Sequence, residues 1–135
     1  MTGPQQPSAQ SLPPSSGLAP NVAGALAYLL GPITGIFFLV IEKQNQFVRF
    51  HAAQSTVISV ALFILGLVLS VLEGILAMIP IVGWLIAILL SLALGFGGFI
   101  LWLVLMYRAY QGREWEVPFA GAQARKLTAP TPAAE

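Results

Sequence analysis

The sequence predicts an all-α integral membrane helical bundle, and three observations predict it. Charged residues make up only 8% of the chain and hydrophobic ones 57%, against ~25% charged in an ordinary soluble domain; so few charges cannot cover a soluble fold. No charged side chain lies between Glu73 and Arg108, and none precedes Glu42. Small residues recur at helical spacing along apolar runs of about 20 residues, the length that carries a helix through a bilayer. A mean hydropathy of +0.83 agrees with one small membrane domain.

Residues 1–21, MTGPQQPSAQSLPPSSGLAPN, hold five Pro, four Ser and three Gln, a composition with nothing to build a core, and are expected to be a disordered tail. No basic stretch followed by an apolar run marks a secretory signal there. The membrane domain is expected over 22–124, with spans at about 22–41, 51–73 and 83–107. In the first span Gly24, Ala27, Gly31 and Gly35 share one face, and Pro32 predicts a kink. Asn45, in the loop EKQNQ, is a natural N-cap for the second helix. On that helix His51, Ser55, Ser59, Gly66, Ser70 and Glu73 fall within an arc of about 100°, opposite a wholly apolar face of Val57, Val60, Ile64, Leu65, Val68, Val71 and Leu72.

Residues 74–83, GILAMIPIVG, predict a turn at the interface. Trp84 and Trp102 stand ~27 Å apart along a helix, one for each aromatic belt, which favours a single continuous third helix. Gly83, Ala87, Ser91, Gly95 and Gly98 form its small-residue seam. Helix packing is therefore assigned to Gly31, Gly35, Ser59, Gly66, Ser70, Ser91, Gly95 and Gly98. After Gly112, residues 108–124 predict an interfacial segment in which Trp115, Val117 and Phe119 alternate with Glu116 and Pro118. Residues 125–135 are expected to be a second disordered tail.

Charge orients the bundle. All six Lys and Arg lie in two places: Lys43 and Arg49, then Arg108, Arg113, Arg125 and Lys126. The positive-inside rule puts both groups on the cytoplasmic side. With three crossings this places the N-terminus outside and the C-terminus in the cytoplasm; a four-crossing alternative would strand one basic group outside. A multi-pass protein of the cytoplasmic membrane is thus expected, with the lipid bilayer as its first partner. The net charge of +1 argues against nucleic acid.

The stretch FVRFHAAQS, residues 47–55, gathers the chain's one histidine with an arginine and an amide. As a metal site it is poor, because structural zinc needs four N or S ligands and the chain has no cysteine. As a nucleophilic pair, His51 and Ser55 lack the third orienting group, since Glu73 lies a membrane thickness away. No catalytic residue, metal or cofactor is therefore assigned. The reading is a polar foot: Arg49 and His51 at headgroups, Phe47 and Phe50 in the acyl boundary, Gln54 and Ser55 hydrogen-bonded to a neighbouring helix. Phe47, Arg49, Phe50, His51, Gln54 and Ser55 are also the candidate surface for a membrane-protein partner or a second copy of the chain.

NVAGALAYLLGPITGIFFLVIE, FVRFHAAQS, IPIVGW and LMYRAYQGREWEVPFAGAQA together resemble a family of small prokaryotic multi-pass membrane proteins of unknown function, distantly related to the chloroplast inner-envelope protein-import component of the Tic type. The resemblance implies a multi-pass bundle and no settled activity. Two functions follow as expectations: a non-enzymatic membrane scaffold or accessory subunit, and, as the alternative, an oligomeric transport or translocation component that forms a pore.

Overall fold

The computed structural model of the chain describes residues 12–129, and every regular element among them is helical. In order these are α1 (Pro20–Leu26), α2 (Pro32–Ile41), α3 (Gln46–Leu76), α4 (Val82–Tyr110) and α5 (Ala120–Thr128). Helices α3 and α4, of 31 and 29 residues, form an antiparallel hairpin. At ~1.5 Å per residue each is longer than the ~30 Å of a hydrocarbon core, and by length and composition both can cross a membrane. The end of the hairpin that holds Asn45 and Tyr110 is its base, and the 77–81 turn is its tip.

The first expected span is corrected. Residues 22–41 are not one helix but two short ones, with the chain turning back at 27–31. Gly31 adopts φ +59°, a left-handed conformation that favours glycine, and Pro32 then starts α2, where its missing N–H costs no helical bond. The pair enters beside the base, where the Asn21 amide donates to the Tyr110 carbonyl (3.0 Å). It turns where Gly31 meets Ser59, and returns to Glu42 next to Asn45. Fourteen α3 positions from Asn45 to Ser59 correspond to a depth of ~21 Å. A proline alone would have kinked the helix; glycine and proline together reverse it.

Side chains take up several of the backbone groups freed by the reversal. The Tyr28 carbonyl accepts from the Trp102 indole (2.7 Å), the Gly31 carbonyl from the Ser55 hydroxyl (3.1 Å), and Thr34 Oγ1 accepts from Leu30 N–H (3.1 Å) while donating to Ala27 (3.0 Å). Trp102 is thus tied inward rather than left in a lipid-facing belt, whereas Trp84 sits at the tip, bonded to the Ala77 carbonyl (3.1 Å).

Helix α4 is continuous through Gly97 and Gly98, and Asn45 caps α3 through Val48 N–H (3.0 Å), both as the sequence predicts. The tails are more ordered than expected. Ser15 donates through N–H and hydroxyl to Glu42, Pro20 and Asn21 belong to α1, and residues 125–128 belong to α5; residues 1–11 and 130–135 of the expected tails lie outside the described residues. One turn recurs: IPIVG (79–83) and VPFAG (117–121). In each, the residue after proline takes positive φ (Ile81 +65°, Phe119 +68°), and the next N–H bonds back to the proline carbonyl (2.8 and 2.9 Å). This is a strained γ-turn, and it starts α4 in one case and α5 in the other.

The expected small-residue seam is only half used. A Cβ on Gly35 would lie 2.6 Å from Thr56 Oγ1 and 3.0 Å from the Ala52 carbonyl, whereas one on Gly66, Gly95 or Gly98 meets nothing within 4 Å. Ser70 bonds its own helix at Leu67, and Ser91 reaches Glu73 across the hairpin (2.5 Å). Gly35→Ala should therefore destabilise the fold by ~1–3 kcal/mol through overpacking. Gly66→Ala should be neutral or stabilising by up to ~1 kcal/mol through helix propensity. Thermal unfolding in mild detergent checks both, and equal losses for the two would contradict the packing described.

Candidate functional site

Helix α3 presents Phe47, Arg49, Phe50, His51, Gln54 and Ser55 at the base, and all but Arg49 are buried. α1 and α2 cover one side of this stretch. The extended segment 113–117, which follows the Gly112 turn, covers the other as a strap. The expected polar foot therefore turns inward: His51 is 1% exposed and Gln54 0%. Phe47 and Phe50 stand edge-on against the imidazole, with centroids at 4.5 and 5.2 Å, instead of anchoring in lipid.

Hydrogen bonding fixes the chemical state of these groups. The Arg113 carbonyl, 3.1 Å from His51 Nε2, can only accept, so Nε2 carries the proton. The neutral ring's Nδ1 then accepts from the Tyr28 hydroxyl (2.9 Å). That hydroxyl in turn accepts from Gln54 Nε2 (3.0 Å), whose second hydrogen goes to the Trp115 carbonyl (3.0 Å). Gln54 Oε1 accepts from Val117 N–H (3.2 Å), which settles the orientation of the amide. Two α3 side chains thus hold backbone groups of residues 113, 115 and 117, every second position along the strap, as a neighbouring strand would.

On the strap's outer side, Glu114 and Glu116 both pair with Arg125 of α5, whose guanidinium lies 4.5 Å from the Phe50 ring centroid. A second node ties the chain ahead of α1 to the start of α3. Glu42 accepts from Ser15, Gln44 and Asn45, while Asn45 donates to the Leu12 carbonyl and Arg49 to the Glu42 carbonyl (2.8 Å). Burial pushes the Glu42 carboxyl up, but the donated backbone N–H groups and the Ser15 hydroxyl outweigh it and hold its pKa below the usual carboxylate value.

As chemistry, the arrangement is closed. The Ser55 hydroxyl is given to Gly31 and not to His51, and every buried side-chain nitrogen and oxygen among the described residues has a partner. No three His, Cys, Asp or Glu side chains among them come together as a metal site. Below the network, a cavity of about 60 Å³ lies between the 27–31 turn and the hairpin, lined by Tyr28, Gly31, Ser55, Ser59, Gly98 and Trp102 among others.

Residues 17–123 match the magnetosome magnetite crystal formation protein family. The chain belongs to this family. A UPF0132 membrane protein of Methanocaldococcus jannaschii is 45% identical over 107 residues, covering 79% of this chain and 86% of the relative. One from Archaeoglobus fulgidus is 46% identical over 101 residues, 75% and 87% of the two chains. A second Methanocaldococcus jannaschii protein is 40% identical over 105 residues, 78% and 67%. No solved structure matches the chain. These relatives establish a prokaryotic membrane protein family of uncharacterised function; they lend nothing to kinship with the chloroplast import component, which is set aside. The matched stretch of the magnetite crystal formation family opens just before α1 and closes inside α5, so it contains every residue of the network except Ser15, Leu12 and Arg125 from its outer ties.

Sequence reasoning missed Tyr28, and it placed Trp102 in an aromatic belt and residues 113–117 on the membrane surface rather than against the network. Tyr28 stood in the sequence as the one hydroxyl-bearing aromatic of the first apolar run, but the strap's contribution is backbone, which no residue type announces. Gln54→Leu should leave the Trp115 carbonyl and Val117 N–H unpaired at ~1–3 kcal/mol each, and open the 112–119 segment to protease. Arg113→Ala should change little, because only its backbone carbonyl takes part. Limited proteolysis of the two variants in detergent checks this; equal protection of both segments would show that the amide does not hold the strap.

Proposed function

We propose that the protein is a non-enzymatic membrane scaffold or accessory subunit, a two-crossing hairpin whose base is built into a rigid platform. The observation that supports this is the fate of the FVRFHAAQS side chains: the residues that could carry chemistry are spent on holding the re-entrant pair, the strap and α5 together. What the platform offers outward is a surface, with Lys43, Arg113, Lys126 and Leu127 exposed on it. The family description, magnetite crystal formation, is compatible with such a role as a membrane-held organising part. A photocrosslinker at Arg113 or Lys126 in native membranes should capture one protein of defined mass, and the adduct should vanish in Gln54→Leu. Adducts with lipid alone would argue for no protein docking at all.

On this reading α3 and α4 cross the cytoplasmic membrane and α1–α2 enters and leaves from the cytoplasmic side, so both termini are cytoplasmic. The support is electrostatic: all the basic residues lie at the base and none at the tip, which two crossings satisfy as well as three. Reporter fusions after residues 17, 45, 79 and 129 should read in, in, out and in. An outside reading at 17 would restore the three-crossing arrangement.

An oligomeric transport component is the alternative, favoured by the broken helix beside the 60 Å³ cavity, since irregular backbone at membrane depth is found where it is buried in protein or lines water. A cysteine at Ser59, in a chain that has none of its own, would then react with water-soluble thiol reagents; the scaffold keeps it protected.

A further inference from the structure

Below the strap an apolar groove of about 340 Å³ runs between α3 and residues 117–123, with Leu101 of α4 at its edge, walled by Val57, Ala61, Leu65, Val117 and Phe119 among others. From Val57 to Leu65 it extends ~12 Å along α3, most of the ~15 Å that one leaflet of hydrocarbon provides. Its upper wall is unusual. Phe119 is 89% exposed, and the positive-φ turn that carries it sets the ring outside the core.

A cation follows Leu101 along α4. Arg108 lies seven residues beyond Leu101, hence on the same face of α4, ~10 Å nearer the base. Two of the arginines are half-buried, Arg49 and Arg108. Arg49 gives its guanidinium to the Glu42 carbonyl. Among the described residues Arg108 faces the Trp115 ring, at 6.0 Å, and both ion pairs belong to Arg125. A half-buried guanidinium without an anion, above an apolar slot, is complementary to one kind of molecule: an amphiphile with an anionic head and an alkyl tail.

We propose that this groove binds an anionic phospholipid of the surrounding membrane, its acyl chain along α3 between Val57 and Leu65 and its phosphate at Arg108 beside Trp115. The site stands whichever partner docks on the platform, since it lies on the membrane-facing side of the strap.

The test is native mass spectrometry of the full chain released from nanodiscs of equal phosphatidylcholine and phosphatidylglycerol. One phosphatidylglycerol should stay bound per chain, in preference to phosphatidylcholine. Arg108→Gln, which removes no hydrogen bond within the chain, should lower that preference roughly tenfold, with the strap as resistant to protease as in the wild type. Ala61→Phe, which fills the groove, should lower retention of both lipids. Equal retention of the two lipids by the wild type would overturn the proposal, as would a preference untouched by Arg108→Gln. Displacement of the lipid by excess inorganic phosphate would show an anion site without a groove, and a dimer mass in place of bound lipid would assign the groove to a second copy; either result also overturns it.

Discussion

Away from water, a backbone N–H or carbonyl must find its partner inside the protein, and the reversal at Gly31 makes that constraint acute. A helix broken at this depth frees backbone groups that cost several kcal/mol each if left bare. The carbonyls of Ala27, Tyr28 and Gly31 and the N–H of Leu30 are each claimed by a side chain, from Thr34 within the pair, Ser55 on α3 and Trp102 on α4. These bonds dictate the rest. Ser55 and Trp102 fix how far the α1–α2 pair reaches along the hairpin, and that position puts Tyr28 level with His51 and Gln54, where the second set of polar contacts begins.

The polar contacts then act in series. Tyr28 positions the imidazole and the amide, the imidazole and amide hold alternate backbone groups of the strap, and the strap's outward glutamates hold Arg125 of α5. Each link uses the geometry set by the one before, so the base is tied together as one unit, while the tip half of the hairpin has only α3 against α4. Buried networks of this kind are stabilising only when complete, because a group left over is worse than an apolar replacement. Completeness is what the structure shows: the tyrosine hydroxyl donates once and accepts once, and both hydrogens of the amide are used.

Much of this was legible in the residues and part of it was not. Helices α3 and α4 were readable because long uninterrupted apolar runs with a capping asparagine leave few alternatives. The reversal in 27–31 was not, because hydropathy scores side chains, and Gly31-Pro32 is as compatible with a kink as with a turn; the deciding partners, Ser55 and Trp102, are 24 and 74 residues beyond the Gly31 and Tyr28 carbonyls they bond. The same limit applies to the glycines. Gly35 and Gly66 carry the same spacing signature, yet only Gly35 has a helix against it. His51 looked like a surface group because its partners are a tyrosine one helix away and a carbonyl from a segment whose sequence, REWEV, advertises only its glutamates and its tryptophan.

The γ-turns at Pro80 and Pro118 follow from the same constraint as the reversal. A proline cannot donate, but its carbonyl can accept, and in both turns the N–H two residues on reaches back to it over a single residue. Here the γ-turn takes its rarer form, which holds Ile81 and Phe119 at positive φ at a cost that glycine would not incur. Both side chains project outward, 77% and 89% exposed. In water such residues would add an apolar patch to the strain. Beside a membrane the outward ring or branched chain meets an apolar medium, and transfer into it offsets the backbone cost of the turns that start α4 and α5.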